Sequence, residues 1–278
     1  LAREVAQAGG ETNTLQHGFV ATLLDQIATS GSDERGRVIH VETKGRLFLD
    51  APALRADPPV LAGSLLVEDH PAYVLRKLFL FSAGHTAAAF VGRLRTHTLM
   101  SEALADPLVA NVVLAALGEA RTGLEHCYGA HFSGDEEAVR DFLTRYADPD
   151  LGDTLARVAR DPGRKLVADD RVCGPARLAL ASGVPVPAMA LVGAAGLCAY
   201  QTDLVGRPFP SAVSASAGAA LMSCVSGLAP RHPFVQASGT AYAALSHRDL
   251  EEVVQDLRLR AADAGPSGRA DRRRGRRR

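Results

Sequence analysis

The sequence predicts a mainly α, multihelical protein preceded by a short α/β segment. Three observations carry this. From His70 to Ala262, stretch after stretch places apolar residues at helical spacing. Many of these stretches open at Pro or Asp-Pro: Asp106-Pro107, Asp148-Pro149, Pro187, Pro210 and Pro233. Asp caps free N–H groups at a helix start, and Pro fits the first turn because its missing N–H is not needed there. Residues 37–50 differ, because Val38, Ile39, Val41, Leu47, Phe48 and Leu49 suit strands better.

In order, AREVAQA and LQHGFVATLLDQI within residues 1–30 read as helical. Arg37 to Asp50 reads as one or two strands, and Pro52, Pro58, Pro59 and Gly63 mark an irregular crossover. Tyr73 to Arg95 reads as one long buried helix, with Ala83, Gly84, Ala87, Ala88, Ala89 and Gly92 small enough to admit neighbouring helices. The Asp106-Pro107 helix runs to about Tyr128, with Asn111, Glu119, Arg121 and Glu125 on its wetter side, and Gly134 to Tyr146 forms a shorter one. Asp148-Pro149 starts a helix carrying Leu151, Leu155 and Val158, which Asp161-Pro162-Gly163 ends. Ala-rich helices come next over 177–182, 187–200, 210–228 and 233–245. The last, His247 to Ala262, has its stripe at Leu250, Val253, Val254 and Leu257, and the tail beyond Asp263 reads as disordered.

Composition narrows the function classes. The 31 basic and 31 acidic residues balance only because of the tail. Removing the seven arginines and two aspartates beyond Ala261 leaves 24 basic and 29 acidic residues, a balance that argues against nucleic acid as a partner of the folded part. Cys127, Cys173, Cys198 and Cys224 are widely spaced and read as free thiols of a cytoplasmic protein. The apolar run 187–200 is too short to cross a bilayer, and 211–229 reads as close-packed helix, so no membrane partner is expected.

Three polar residues interrupt the helix at 73–95: Lys77, Ser82 and His85. On an α-helix they fall within an arc of roughly 140°, with about 12 Å of axial rise from Lys77 to His85. An amine, a hydroxyl and an imidazole thus share a face. Apolar surroundings lower the pKa of an amine, which fits a lysine for general-base work near neutral pH. A snorkelling lysine and a hydrogen-bonded core histidine are the plain alternatives. Arg157, Arg160, Arg164, Lys165 and Arg171 cluster with Asp153, Asp161, Asp169 and Asp170; interleaved signs favour an ion-pair network over a phosphate-binding wall.

RKLFLFSAGHTAAAFVGRLRTHTLMSEALADP, residues 76–107, resembles the signature of the polyol-specific long-chain dehydrogenases, and most closely that of members acting on mannitol 1-phosphate. RYADPDLGDTLARVARDPGRKLVADDRVCGPARLAL (145–180), GFVATLLDQIATS (18–30) and HVETKGRLFLDA (40–51) are similar to further family segments in the same order. The resemblance implies a helical substrate domain like the C-terminal domain of 6-phosphogluconate dehydrogenase over residues 69–262. It implies the end of a dinucleotide-binding domain over 1–68, with 263–278 as tail. It also implies NAD-dependent, metal-free interconversion of mannitol 1-phosphate and fructose 6-phosphate.

By the same resemblance Lys77 is the base, His85 binds substrate hydroxyls and Asp25 belongs to the active-site network. Ser82 replaces an oxyanion-binding asparagine and Gln26 replaces an arginine. Arg93 and Arg95 could meet the substrate phosphate, although two arginines ending a helix also suit its dipole. The first residue is Leu1, and no strand–glycine turn–helix fingerprint is found, so most of the NAD site is expected outside this chain. A drifted, non-catalytic helical module, or a dehydrogenase of free mannitol or hexuronate, remains the alternative. The sequence leaves oligomeric state open.

Overall fold

The computed structural model describes residues 20–55, 61–129, 136–209 and 213–263. The expected N-terminal helix AREVAQA, the start of the second, and the Arg-rich tail lie outside these residues.

Five short strands come first: β1 Thr22–Asp25, β2 Ala28–Asp33, β3 Gly36–Val41, β4 Arg46–Asp50 and β5 Ser64–Val67. The helix expected over LQHGFVATLLDQI is therefore corrected within its described part, because Thr22–Asp25 is extended. Its four residues alternate in exposure and pair antiparallel with β4, Leu23 opposite Phe48 and Asp25 opposite Arg46. A short apolar run fits either period, and strand pairing decides between them. β4 pairs in parallel with β5, giving the order β1-β4-β5, while β2 and β3 form a separate hairpin.

The long helix begins earlier than its apolar pattern suggests. α1 is His70–Arg76, with Asp69 accepting from the Ala72 N–H and Pro71 in the first turn. Lys77–Ser82 is then a π-helical turn, and α2 continues over Ala83–Leu94. α3 (Met100–Ala105) is a short helix that the sequence pattern does not reveal. α4 (Pro107–Tyr128) matches its expected bounds, with Asp106 accepting from the Leu108 N–H at 2.9 Å. α5 is Glu136–Tyr146.

The helix expected from Asp148-Pro149 is broken. A single 3-10 turn, Pro149–Leu151, ends at Gly152 in the left-handed region, and α6 (Leu155–Ala159) starts afresh on a Thr154 cap. Asp161-Pro162 does not merely end that helix; it opens α7, Pro162–Lys165. α8 is Cys173–Ala181, α9 Pro187–Val205, α10 Ala215–Ser226, α11 Pro233–Leu245 and α12 Leu250–Asp263.

The core gathers around α2 and α9. Val91, Ala88, Ala89, Leu191, Ala194 and Leu197 are fully buried. Glycines permit the close approach: a Cβ on Gly196 would sit 2.9 Å from both Phe90 and Leu166, and one on Gly92 2.7 Å from Ala103. α9 is longer than its apolar pattern indicates. Both it and the continuous helix 70–94 are long and apolar enough to cross a membrane by length and composition. Yet 67% and 61% of their apolar windows are buried inside the protein, as in core helices.

Candidate active site

The π turn is the local feature that sets the site. A π turn holds one residue more than an α turn, so it rotates the downstream residues by about one helical step, roughly 100°. The arc spanned by Lys77, Ser82 and His85 narrows accordingly, from about 140° to about 60°. Tyr146 on α5 braces this turn, its buried hydroxyl donating to the Phe81 carbonyl at 2.6 Å. Phe81 also packs edge-on against Tyr146 and Phe142, at 5.1 and 5.3 Å between centroids.

A cleft of about 990 Å³ lies between the strands and the helical body. Its lining includes Asp25 and Arg46 from β1 and β4, Lys77 from the π turn, Arg76 just before it, and Arg145 from α5. Lys77 is half-buried, and its ammonium donates to the Leu24 carbonyl on β1. Burial lowers its pKa below the ordinary lysine value, with Asp25 pulling the other way. The amine is therefore held at a cleft, next to the carboxylate that the sequence groups with it.

Beneath this wall runs a buried ion-pair network. Arg145 donates to both carboxylate oxygens of Glu42, at 2.8 and 2.9 Å, and reaches Asp25 at 3.4 Å. Its guanidinium carbon lies 4.2 Å from the centroid of Phe81. Burial alone would lower the Arg145 pKa, but the Glu42 and Asp25 carboxylates outweigh it and push it up. Sequence reasoning missed Arg145 and Glu42. Nothing in their spacing, 103 residues apart, signals the contact.

His85 faces elsewhere. It is stacked on Tyr146, centroids 4.8 Å apart, and its Nε2 is 3.0 Å from Asp153. Arg157 grips the same carboxylate through two bonds of 2.6 Å. The Asp153 carbonyl also accepts from the Met100 N–H at 2.9 Å, which fixes the backbone that carries the carboxylate. Burial lowers the His85 pKa by more than Asp153 raises it, so the ring is neutral near pH 7. Burial alone would raise the Asp153 carboxyl, but His85 and Arg157 hold it below the usual range.

The predicted residues thus divide. Asp25 and Lys77 share the cleft; half-buried Ser82 and His85 sit on the same helix but outside its lining. Arg93 and Arg95 are not brought together with them. They line a different pocket, about 460 Å³, near Thr202 and Arg248, and Arg95 is paired with Asp106 at 2.9 Å.

Gln26, the other departure from the family pattern, donates to the Glu42 carbonyl at 3.0 Å. The basic and acidic cluster forms ion pairs as expected, Arg157–Asp153, Arg164–Asp170 and Arg171–Asp170, while Asp169 pairs with Arg177 from outside the predicted set. Lys165, within it, is buried, donates to the Arg160 carbonyl and has a pKa lowered by burial to about 8. Among the described residues no group of three His, Cys, Asp or Glu is arranged to hold a metal ion. These residues also contain no glycine-rich turn joining a strand to a helix, so no dinucleotide cradle is formed by them.

Known proteins resemble this arrangement. The family model of the mannitol dehydrogenase C-terminal domain matches residues 69–211. The mannitol-1-phosphate 5-dehydrogenase of Arthrobacter sp. is 34% identical over 79% of this chain and 57% of its own length. That of Pseudarthrobacter chlorophenolicus is 32% identical over 86% and 63%. The chain therefore spans about three fifths of the curated relatives it matches. The Pseudomonas fluorescens mannitol 2-dehydrogenase, solved with NAD and D-mannitol, superposes with a TM-score of 0.61 at 16% identity, covering 88% of this chain and 54% of that one. At that identity the likeness speaks for the fold. With its helical body matched over half its length, this chain belongs to the mannitol dehydrogenase C-terminal domain family.

Proposed function

We propose that this chain is the substrate-binding part of an NAD-dependent polyol oxidoreductase that interconverts mannitol 1-phosphate and fructose 6-phosphate. The observation that carries the reading is Lys77: an amine with a lowered pKa, half-buried at a large cleft beside Asp25. The relatives named mannitol-1-phosphate 5-dehydrogenase support the substrate, and the NAD-bound fold neighbour supports the cofactor. The four described free cysteines are consistent with a cytoplasmic enzyme.

In this reading the neutral Lys77 amine accepts the hydroxyl proton of the substrate carbinol as the carbonyl forms. The bound nicotinamide would supply the hydride acceptor, held by parts of the protein outside the residues described. Asp25 stabilises the ammonium that Lys77 becomes, and Leu24 holds the amine in place. His85, which the resemblance assigns to substrate hydroxyls, lies outside the cleft lining with its Nε2 engaged by Asp153, and this reading gives it no direct substrate contact. Ser82, where the family pattern places the oxyanion donor, lies outside the cleft lining; a donor that reaches the oxyanion contributes on the order of 10²-fold in rate.

The test is NAD reduction by mannitol 1-phosphate with the full-length gene product. Lys77→Ala is expected to lower kcat by roughly 10²- to 10⁴-fold, the usual range for a general base. A variant retaining the parent rate would remove Lys77 from the reaction. The competing reading, a non-catalytic helical module, rests on Ser82 standing where the family pattern has asparagine. Turnover by the parent protein would exclude it.

A further inference from the structure

The cationic residues around the Lys77 cleft are not equally satisfied. Lys44 is neutralised by Asp141 at 2.6 Å, and Arg145 by Glu42 and Asp25. Arg46 and Arg76 line the same cleft, yet among the described residues neither has a hydrogen bond or ion pair through its side chain. Arg76 is half-buried, and its Nε is shielded from solvent without a partner among the described residues. A shielded, unpaired guanidinium donor costs stability unless something completes it. Arg76 also immediately precedes Lys77, and both side chains line this cleft. Arg46 lines the same cleft from β4, opposite Asp25 in the ladder, and Asp25 is turned to Arg145 instead.

We infer that Arg76 and Arg46 form a phosphate-binding wall within the Lys77 cleft. The inference rests on this cleft being the reaction site, and it transfers the phosphate contact from Arg93 and Arg95, which lie in a separate pocket. A phosphate matches the requirement chemically. It carries up to two negative charges, it presents several acceptor oxygens, and a guanidinium fork meets it in two parallel hydrogen bonds. The cleft volume of about 990 Å³ has room for a six-carbon chain with its phosphate. Two sources share this chemistry: the phosphate of the polyol substrate, to which we assign the wall, and the pyrophosphate of the dinucleotide.

Calorimetric titration of the full-length protein with fructose 6-phosphate, fructose, NADH and inorganic phosphate separates the possibilities. Arg76→Gln and Arg46→Gln are expected to weaken fructose 6-phosphate and inorganic phosphate by roughly 10- to 100-fold each, the size of a lost charge-assisted hydrogen bond, and to leave fructose unchanged. Arg76→Lys should recover part of the loss, since it restores charge without the fork. Weakening confined to NADH would keep the wall and reassign it to the pyrophosphate. Unchanged affinity for all phosphate ligands in both variants would overturn the inference. Arg46 is exposed on a strand, so its variant guards against misfolding as the explanation, with helical circular dichroism as the check.

The wall and the reaction fail separately. Arginine-dependent phosphate binding alongside a Lys77→Ala variant of full activity would sink the assigned base and spare the wall. Normal dependence on Lys77 with phosphate affinity insensitive to both arginines would do the reverse.

Discussion

His85 shows how much of a residue's role depends on partners that its own stretch of sequence does not reveal. The sequence presents an imidazole on an apolar helix. The structure gives it a stacked Tyr146, a buried Asp153 and, behind that, Arg157. Its folded pKa is lowered, so its contribution is present above the ordinary histidine value near 6.5 and is lost as pH falls below it. Asp153, also lowered, adds a second loss below the ordinary value of 3.8. A His85→Gln variant should therefore show a flatter melting temperature between pH 7 and pH 5 than the parent, read by differential scanning calorimetry. Equal slopes would mean that the ring is not held neutral. Asp153→Ala leaves Arg157 and His85 without their shared acceptor and should cost about 3 kcal/mol, as breaking a buried pair does. Urea unfolding would measure it.

Among the elements, periodicity serves long segments and fails short ones. α4 and α11 are legible to the residue at Pro107–Tyr128 and Pro233–Leu245, because a proline start and a long apolar stripe leave little choice. β1, α3 and α6 are six residues or fewer, and their conformation is decided by partners far along the chain. The π turn is equally hidden, since the residues of LFLF suit either ladder.

Glu119 belongs, by sequence pattern, to the wetter face of α4. It instead accepts from the Ala188 and Met189 N–H groups at 2.8 Å, capping α9 from outside. Burial pushes its pKa up to about 7 despite those two donors. A carboxyl raised from 4.5 favours folding most below its unfolded value, and the benefit is lost as pH rises toward 7. Between pH 5 and pH 8 the parent should lose stability, by up to about 3 kcal/mol at 1.36 kcal/mol per unit, and Glu119→Gln should lose less. Urea titrations at the two pH values would show it; parallel behaviour of both proteins would refute the assignment.

The interface of α10 with α11 allows a second prediction. A Cβ at Gly218 would lie 2.6 Å from the Gly239 carbonyl oxygen, where backbone meets backbone and neither can rotate away. Gly218→Ala should destabilise by roughly 1–3 kcal/mol, although alanine favours helices. The midpoint of urea unfolding would report it.

At the level of the whole molecule, the strands are tied to the helical body by a few long-range polar contacts. Arg145 holds Glu42 and Asp25, Lys44 holds Asp141 at 2.6 Å, and Thr29 donates to the Leu151 carbonyl. Glu42 is the buried member on which the junction depends, because it also accepts from the Ile27 N–H at 2.6 Å. Glu42→Ala should cost about 3–5 kcal/mol by leaving Arg145 buried and short of its main partner. It should also loosen the cleft, raising the Kd for fructose 6-phosphate by more than a surface substitution such as Arg35→Ala would. The helical body is legible in the sequence. This junction is not, for it joins residues 97 to 122 positions apart that carry no shared pattern.

The widened turn at Lys77–Ser82 makes the helix unusually forgiving of a shortened gene. Removing one codon from Leu78 to Phe81 would heal the backbone ladder into ordinary α-helix and re-aim the lysine relative to Ser82 and His85. A single deletion thus separates the side-chain arrangement proposed for catalysis from a plain helical scaffold, and the reverse insertion would restore it.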